Sequence, residues 1–516
     1  MSARGMIEHM STFLGAYILA HVIELLCWIP AVWRFRRFIV PVVFGLVALS
    51  VASLGIYSPS LLTALIAVVA MYRLINLARI IRNRMQPEYL KRATWRTALW
   101  LLGFATVLGA VWAILDRLGV TSGEFWKLFL IAQLAIAVTI FATTLRHVKS
   151  MRPAAIEKWL TDEELPTLTV AIPARNETDD LQAALERLVA STYPKLEILV
   201  LDDCSTLKRT PEIIRSFAHD GVRFIQGQPV KDGWLPKNQA YQQLLEEANG
   251  EIVLFCGSDV RFEPQTLKNL VMLMLEKKKS MMSVMPRNIL PRFLQLDASL
   301  IQPMRYAWEV ALPRKLFRRP PVLSTCWIAK REFLLSTGGL SAVSRSIVPE
   351  SYFARQAVRH DGYSFRYTNK AIGLTSHKAI TDQRDTATRT KYPQLHRRPE
   401  LVLLLTVGEL FGLVMPFLFL ITAFMYPELR LLLVLSGLTC GILVTWYLTV
   451  CAMTYRQPDI RSAVSLPFAA LLDTALLNYS MLKYEFSVVL WKERNVCIPV
   501  MRVEPRLPKV DSLPAK

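Results

Sequence analysis

The sequence lacks the cysteine arrangements that build metal sites or disulfide frameworks. Its seven cysteines are scattered over 516 residues, and no two of them form a C-x-x-C pair. This scatter excludes a zinc ribbon and a disulfide-stapled secreted fold, and it suits a reducing cytosol together with a membrane. The first apolar run also lacks a basic flank and a small-residue cleavage site, so we expect no cleavable signal peptide.

Positive charge is abundant, but the pattern of a nucleic-acid-binding protein is missing. The formal net charge is +20, and no basic repeat with interleaved aromatic residues accompanies it. Hydrophobic residues make up 53% of the chain, which is too apolar for a wholly soluble protein. A membrane protein with a basic cytoplasmic side therefore explains the charge better than a nucleic-acid partner does.

Long apolar runs occur on both sides of a more polar central region. Each has close to the roughly 20 residues that a helix needs to cross hydrocarbon. The runs lie at about 11–30, 38–58, 60–78, 97–115, 125–145, 401–425 and 429–451. Arginine and lysine cluster after the first, third and fifth runs, so the positive-inside rule predicts an external amino terminus and a cytoplasmic central region.

The composition divides the chain into three predicted parts. We expect about five transmembrane helices in 1–150, an α/β domain in 151–398, and a second membrane region in 399–516. The second membrane region should hold two transmembrane helices and a short tail. Its last apolar stretch, 462–490, is too short for two spans and too charged for a simple one, so we expect an interfacial or re-entrant segment.

The stretch from Thr167 to Thr206 organises the central region. One apolar run, Leu168–Ile172, stops at a proline and a polar cluster, and a second run, Leu196–Leu201, ends on two carboxylates. Apolar residues at helical spacing separate the two runs. The pattern predicts strand, helix, strand, with polar residues at the carboxyl ends of the strands, where open α/β sheets bind ligands. The alternative is a βαβ unit with ordinary polar loops.

The polar residues of this stretch resemble a known family. The sequence AIPARNE at 171–177, then YP at 193–194 and VLDDCST at 200–206, resembles the opening of a family 2 glycosyltransferase. The resemblance covers roughly residues 167–400. It implies a nucleotide-sugar-binding α/β domain of the GT-A, Rossmann-like type, inserted between the two groups of transmembrane helices. The residues that it places around the nucleotide are Pro173, Arg175, Glu177, Asp202 and Asp203.

Two further motifs concern the donor and its metal. The sequence GWLPK at 233–237 is similar to hopene-associated, carotenoid and ceramide-type members, which act on lipids, and it implies that Lys237 lies near the donor. Where the family has D-x-D, Gly257 replaces the first aspartate and only Asp259 remains. Hard oxygen ligands suit magnesium or manganese, which would neutralise the leaving diphosphate. We therefore predict Asp259 as the metal ligand, the alternative being that it caps a turn.

The catalytic position also departs from the family. The resemblance places an aspartate general base directly after Glu350, but this chain has Ser351 there. Inverting transfer requires a carboxylate that removes a proton from the acceptor hydroxyl. We therefore predict Glu350 as the base; the alternative is a surface glutamate on an inactive protein.

The closing Q-x-x-R-W motif of the family has two incomplete candidates, neither with the tryptophan. One begins at Gln383 and Arg384, and the other spans 394–398. Either could be a basic amphipathic stretch on the membrane surface, and the second suits that interpretation better. Further on, the sequence WKER at 491–494 is similar to the WKGR-type ending of lipid-directed members.

The resemblance as a whole implies a membrane-bound enzyme of the cell membrane. We expect transfer of a sugar from a nucleotide-diphosphate donor, such as a UDP-sugar, to a lipid or membrane-associated glycan at the cytoplasmic face. The expected partners are the donor, the acceptor and the membrane, with no nucleic acid. The alternative is a catalytically weakened family member that binds a nucleotide sugar or a partner without turnover, and the three motif departures support it.

Overall fold

The computed structural model describes residues 122–153, 156, 159–289, 300–311, 320–370, 372–395, 397, 399–426, 430–455, 461–485 and 489–496. A few isolated positions between 19 and 47 are also described. The four predicted apolar runs between 11 and 115 otherwise lie outside the described residues, as does the tail after Val496. Every predicted site residue lies inside them.

Twelve short strands are described. They are β1 (Leu168–Ala174), β2 (Leu196–Asp202), β3 (Val222–Gln226), β4 (Ile252–Cys256), β5 (Val260–Phe262), β6 (Met281–Met285), β7 (Arg287–Asn288), β8 (Cys326–Lys330), β9 (Tyr363–Tyr367), β10 (Leu374–Ser376), β11 (Leu490–Trp491) and β12 (Arg494–Asn495). Seven of them form the central sheet in the order β3-β2-β1-β4-β8-β6-β9. Neighbours in that sheet are parallel except β8, which is antiparallel to both β4 and β6.

The helices that accompany these strands are named here in chain order from residue 122. They are α1 (Ser122–Met151), α2 (Asp179–Val189), α3 (Arg209–Ser216), α4 (Pro236–Glu247), α5 (Thr266–Glu276), α6 (Gln302–Ala311), α7 (Arg331–Ser336), α8 (Glu350–Arg359), α9 (Ile380–Gln394), α10 (Pro399–Glu409), α11 (Met415–Met425), α12 (Arg430–Thr454), α13 (Arg461–Val464) and α14 (Leu466–Glu485). Single 3-10 turns occur at Ala218–Asp220 and Gly339–Val343, and a π-helical turn, Leu410–Val414, joins α10 to α11.

The central sheet is covered on both faces, which explains why inner strands such as β1 and β4 are largely apolar and buried along their length. On one face, alternate residues of β1 pack with α2, α3 and α5, and on the other face Ala171 packs with α4 and α8. The first strand continues through Pro173 to Ala174, beyond the stop expected at the proline. Pairing with β4 ends at Ala171, and proline is tolerated where a strand needs no amide donor on one side.

Three described helices are long and apolar enough to cross a membrane. They are Lys127–Met151 within α1, Leu401–Met425 across α10 and α11, and Arg430–Thr454, which is α12. They coincide with the fifth predicted run and with the two predicted after the central region. The stretch expected to be interfacial or re-entrant contains α13 and α14, and α14 packs against α9 and α10.

Candidate functional site

The polar residues after β1 and β2 meet at one edge of the sheet, because Ala174 lies opposite Asp202 in the parallel register. Arg175 is 6% exposed and donates to the carbonyl oxygen of Asp203 at 2.8 Å and to that of Cys204. Asn176 and Cys204 have φ angles of 48° and 50°, so both loops turn sharply. Arg175 therefore braces the two predicted nucleotide loops against each other.

A carboxyl-terminal hairpin made of β11 and β12 covers this edge. Arg494 donates to both carboxylate oxygens of Asp203 at 2.9 Å. Lys492 forms an ion pair with Glu177 and donates to the carbonyl oxygen of Arg175 at 2.7 Å. Two carboxylates predicted to hold the nucleotide are thus already paired with cations from the other end of the chain.

The two adjacent aspartates have different surroundings. Asp202 accepts a hydrogen bond from the amide of Ser205 at 3.2 Å. Asp203 is buried, and its burial raises the pKa of its carboxyl, although Arg494 and Arg175 oppose that shift. The ion pair with Arg494 is therefore what keeps an ionised Asp203 compatible with its burial.

A hollow of about 500 Å³ opens beside Asp203, within the size range of small-ligand sites. Its walls include an aromatic side chain, Trp234, and the guanidinium of Arg494. The full lining is Cys204, Pro229, Val230, Trp234, Leu235, Pro236 and Arg494. We call this space the wide hollow.

A second space, the narrow hollow, shares the Leu235–Pro236 wall and has a volume of about 30 Å³. It brings together Lys237, Arg305, Glu350 and Arg389. Glu350 is 1% exposed, and its Oε2 atom has no hydrogen-bond partner among the described residues. The Nη1 atom of Arg305 also lacks one within this part of the chain. Buried polar atoms are nearly always paired in proteins, so these groups are available to a ligand.

Local packing explains how Lys237 and Glu350 come together. The side-chain amide of Asn238 donates to the carbonyls of residues 343, 344 and 346. These bonds anchor the start of α4 to the loop before α8. Beneath both helices, Trp327 stacks with Phe255 and Phe353 at centroid distances of 4.5 and 6.0 Å. This aromatic stack supports the two helices that carry Lys237 and Glu350.

The charges of the narrow hollow influence one another. Burial lowers the pKa of Lys237, and the nearby Glu350 carboxylate opposes that shift. The ammonium group also lies 5.0 Å from the centre of the Tyr241 ring. Ser351, at the family's base position, donates its hydroxyl to the carbonyl of Val348 at 2.8 Å. The serine therefore makes a local turn contact, whereas Glu350 lines the hollow.

Asp259 lies in the turn after β4. Its Oδ2 accepts from the hydroxyl of Ser376 at 3.1 Å, and its carbonyl oxygen accepts from the amide of His377 at 2.9 Å. A Cβ atom at Gly257 would stand 2.5 Å from Asp259 Oδ1. The carboxylate of Asp259 therefore occupies the space that a side chain at position 257 would enter. No cluster of three His, Cys, Asp or Glu side chains suited to a metal occurs in the ranges described. The residues fit a magnesium-like ion completed by phosphate and water, which one carboxylate can hold.

The first candidate for the closing motif lies on α9, and the second begins at Gln394, the last residue of that helix. Gln383 is buried and donates to the carbonyl of Lys378 at 3.0 Å, whereas Arg384 is exposed and pairs with Asp385 at 3.3 Å. Burial lowers the pKa of Lys378 to about 8. Gln394, from the candidate assigned to the membrane surface, lines the narrow hollow.

Sequence reasoning missed three cations, Arg305, Lys378 and Arg389. Arg305 and Arg389 line the narrow hollow, and their charges influence the pKa of Lys378. Arg389 lies six residues after Gln383, where the family motif has no counterpart, and Arg305 belongs to no motif. The WKER sequence at 491–494 is recognisable as a motif, but its contacts with the first loops carry no local signal in the sequence.

Comparisons with known proteins bear on this site. Residues 169–334 match the family described as Glycosyl transferase family 2. Among curated proteins, the chain is 26% identical over 200 residues to "Probable glycosyltransferase YdaM" of Bacillus subtilis (strain 168), covering 36% of this chain and 45% of that protein. It is 31% identical over 108 residues to "Glycosyltransferase AglE" of Haloferax volcanii, covering 20% and 34%. The chain thus spans less than half the length of these relatives.

Solved structures show more distant similarity. "Mannosyltransferase PcManGT from Pyrobaculum calidifontis in complex with GDP-Man and Mn2+" is 18% identical with a TM-score of 0.41, covering 69% of this chain and 98% of that one. The structure of S. aureus TarS residues 1–349 with UDP-GlcNAc is 15% identical with a TM-score of 0.31, covering 62% and 92%.

Proposed function

We propose that this chain, whose residues 169–334 form a family 2 glycosyltransferase domain, transfers a sugar from a nucleotide-diphosphate donor to a hydroxyl of a lipid or membrane-associated glycan. The observation that carries the proposal is the narrow hollow. It holds a buried carboxylate, Glu350, whose Oε2 atom has no hydrogen-bond partner among the described residues, beside Lys237, Arg305 and Arg389. A base next to several cations suits proton removal and stabilisation of a leaving diphosphate.

In this proposal the donor lies across the two hollows. A nucleoside in the wide hollow would lie against Trp234 and beside Asp203, and its diphosphate would cross the Leu235–Pro236 wall toward the cations. The positive groups at that end are Lys237, Arg305, Lys378 and Arg389. Guanidinium and ammonium groups bind phosphate oxygens through charge-assisted hydrogen bonds. A UDP-sugar is the donor that we propose.

In the reaction, Glu350 removes the proton of the acceptor hydroxyl as its oxygen attacks the anomeric carbon. The bond between that carbon and the diphosphate oxygen breaks, and negative charge grows on the diphosphate beside Lys237 and Arg305. Attack from the face opposite the leaving group inverts the configuration. Asp259 would hold a magnesium or manganese ion, which supplies neutralising charge to the diphosphate when it is bound.

A second candidate is a protein that binds a nucleotide sugar or a partner without turnover. The observation that favours it is the pairing of Asp203 with Arg494, which occupies one of the two adjacent carboxylates that the resemblance places around the nucleotide. The loss of carboxylates at Gly257 and Ser351 points the same way.

Manganese-dependent turnover separates the two candidates. We expect the full chain in lipid nanodiscs to release UDP from UDP-sugars when membrane lipid extract and manganese are supplied, and to stop when the metal is chelated. Asp259→Ala should abolish the metal response because it removes the predicted ligand, whereas Asp385→Ala, at an exposed carboxylate, should retain it. Tight UDP binding by an intact wild type without UDP release from any donor would instead support the binder.

We also propose that the catalytic domain faces the cytoplasm, on the strength of the loop charges. In a cysteine-free background, single cysteines at Ser58 and Ser122 should react with a membrane-impermeant thiol reagent applied to intact cells. A cysteine at Ser205 should react only after the membrane is opened. Labelling of that cysteine in intact cells would reverse the topology and remove access to cytoplasmic nucleotide sugars.

A further inference from the structure

An apolar cleft lies among the helices next to the catalytic domain. It has a volume of about 300 Å³ and opens between α1, α6, the π-helical turn after α10, and α12. Three of its four walls belong to the helices that are long enough to cross a membrane. Its apolar lining includes Ile136, Ile140, Ala311, Leu413 and Trp446. The neighbouring surface of α1 exposes Leu128, Ile131 and Val138 by 56, 52 and 47%, as a helix facing hydrocarbon would.

One end of the cleft is polar. Glu409, which lines it, is 2% exposed and accepts a hydrogen bond from the Thr474 hydroxyl at 2.6 Å. Trp308, also in the lining, donates to Asp473 at 3.2 Å, and Lys391 pairs with the same carboxylate at 2.5 Å. Ionisable groups within apolar spans usually have a function, and a π-helical turn follows Glu409 directly.

Two helices connect this polar end to the narrow hollow. On α6, Arg305 lines the narrow hollow, and Trp308, three residues later, lines the cleft. On α9, Arg389 lines the narrow hollow, and Lys391 bonds to Asp473 at the end of the cleft. Three residues of α-helix rise only about 4.5 Å, so the cleft ends about one helical turn from the hollow that contains Glu350.

We propose that the cleft holds the hydrocarbon chain of the acceptor, a long-chain lipid alcohol whose hydroxyl reaches Glu350. This inference rests on the proposed function and specifies its acceptor. An apolar lining beside membrane-length helices suits an alkyl or isoprenoid chain and does not suit a glycan. A hydroxyl needs a base such as Glu350, whereas a phosphate acceptor is already ionised. In the described contacts of Glu409 and Asp473, Lys391 is the one cation and the other partners are the neutral Thr474 and Trp308, which disfavours a phosphorylated head at this end.

Two glycines provide a way to fill the cleft without disturbing its walls. Gly408 and Gly412 both line it, and a Cβ atom added at either position would meet no other group within 4 Å. A larger side chain would therefore extend into the open space that we assign to the lipid chain. Gly441 on α12 offers a matched control, since its Cβ would also meet nothing within 4 Å and it is absent from the lining of the cleft.

The test uses the full chain in nanodiscs and a hexadecanol probe that carries a photoreactive diazirine on its tail. We expect ultraviolet light to attach the probe to peptides of α1 and α12 that line the cleft. Gly412→Leu and the milder Gly412→Ala should lower this labelling in a graded way, by about tenfold for leucine, because hydrocarbon burial is lost. Gly441→Leu should label like the wild type, and UDP binding should be unchanged in all variants.

The outcomes distinguish this inference from the proposed function. Undiminished labelling in Gly412→Leu, in a variant that still binds UDP and melts like the wild type, overturns the cleft assignment and leaves the transferase intact. Hexadecyl phosphate displacing the probe better than hexadecanol does overturns the choice of an alcohol. A wild type that labels in the cleft but never releases UDP from a sugar donor contradicts the transferase and keeps the lipid site.

Discussion

The wide and narrow hollows share the Leu235–Pro236 wall, but their charges are satisfied in different ways. Beside the wide hollow, the Asp203 carboxylate is held by both of its oxygens on Arg494. In the narrow hollow, Glu350 Oε2 and Arg305 Nη1 have no hydrogen-bond partner among the described residues. Among the described residues, the chain thus completes one half of the candidate site with its own side chains and leaves the other half incomplete.

This difference assigns different tasks to the two halves. A buried polar atom without a partner costs about 1–3 kcal/mol, and a ligand that supplies the partner recovers that free energy. Changes at Glu350 and Arg305 should therefore have the largest effects on substrate binding and turnover. At the sheet edge beside Asp203, changes to the hairpin should alter stability first, because Lys492 and Arg494 hold together loops from distant parts of the chain.

The largest expected effect comes from Glu350, whose Oε2 atom has no hydrogen-bond partner among the described residues. Glu350→Gln keeps the shape of the side chain but removes the base, so turnover should fall by about a hundredfold or more, the scale of general-base catalysis. Binding of UDP should change little. Steady-state release of UDP and calorimetric binding of UDP measure the two quantities separately.

Ser351→Ala is the matched control for this change. It removes only the hydroxyl that bonds to the Val348 carbonyl, so turnover should stay close to that of the wild type. An equally active Glu350→Gln variant would end the base assignment. The search would then move to Asp382 and Asp385, which are both exposed on α9.

The paired half predicts a smaller effect, on stability. Arg494→Gln leaves Asp203 buried without its cation, and we expect the free energy of unfolding to fall by about 1–3 kcal/mol near neutral pH. The pKa of Asp203 is already raised by burial, and losing Arg494 should raise it further. The destabilisation should therefore shrink as the pH falls through the folded-state pKa and the carboxyl takes up a proton.

Thermal unfolding of the full chain in nanodiscs, followed from about pH 5 to pH 7.5, measures this dependence. Arg384→Gln is the control, because Arg384 and its partner Asp385 are both exposed. It should leave stability nearly unchanged at every pH, as isolated surface ion pairs contribute little. If Arg494→Gln lowers the stability equally at both ends of this range, the protonation of Asp203 is not linked to its ion pair with Arg494.

The parts of the fold that depend on local pattern were predictable. The apolar runs at Leu168–Ile172 and Leu196–Leu201 are strands to within two residues, because both faces of the sheet are buried and the runs are continuous. The GWLPK motif also predicts the opening of a helix, and α4 begins within it at Pro236. The short stretch Val222–Ile225 predicts a further strand, and β3 covers it with one residue more.

The parts that depend on distant contacts were not predictable. Nothing in the sequence of β8 indicates that it inserts antiparallel between β4 and β6, because strand pairing carries no local period. The ion pair between Asp203 and Arg494 joins residues 291 positions apart. Arg305 and Arg389 enter the site only because α6 and α9 pack beside it. A motif search cannot find cations whose role is created by tertiary packing.

A third and smaller effect concerns the pH dependence of donor binding in the incomplete half. Lys378, whose pKa burial lowers to about 8, lies among Asp259, Arg305, Arg389 and Asp382. Its ammonium should help to bind the diphosphate below that pH and lose its charge as the pH rises. We expect the affinity for UDP to be highest below pH 8 and to fall about fivefold by pH 9.5, in keeping with the loss of one charged contact.

Calorimetric titrations with UDP across this range test the assignment. Lys378→Arg should hold its affinity above pH 8, because a guanidinium stays charged there. Lys378→Gln should bind UDP weakly at every pH, and its affinity should not change between about pH 8 and pH 9.5. If the affinity of the glutamine variant still falls over this range, the titration belongs to another group, of which Lys237 is the first to examine.

The smallest expected effect is on stability and concerns the turn of the hairpin that pairs with Asp203. Lys492 and Glu493 have φ angles of 46° and 69°, values that two-residue hairpin turns demand and that glycine adopts without strain. The similar WKGR-type family ending has glycine where this chain has Glu493. Glu493→Gly should relieve strain at the loss of one exposed hydrogen bond, in which the Thr206 hydroxyl donates to the glutamate at 3.3 Å. We expect the free energy of unfolding to rise by about 0.5 kcal/mol, and by less than about 1 kcal/mol.

Glu493→Ala is the control for this change. It removes the same hydrogen bond and keeps the Cβ atom, so its stability should not rise. If alanine and glycine have equal stability, the turn stores no strain, and the ion pairs of Lys492 and Arg494 alone keep the hairpin on the nucleotide edge.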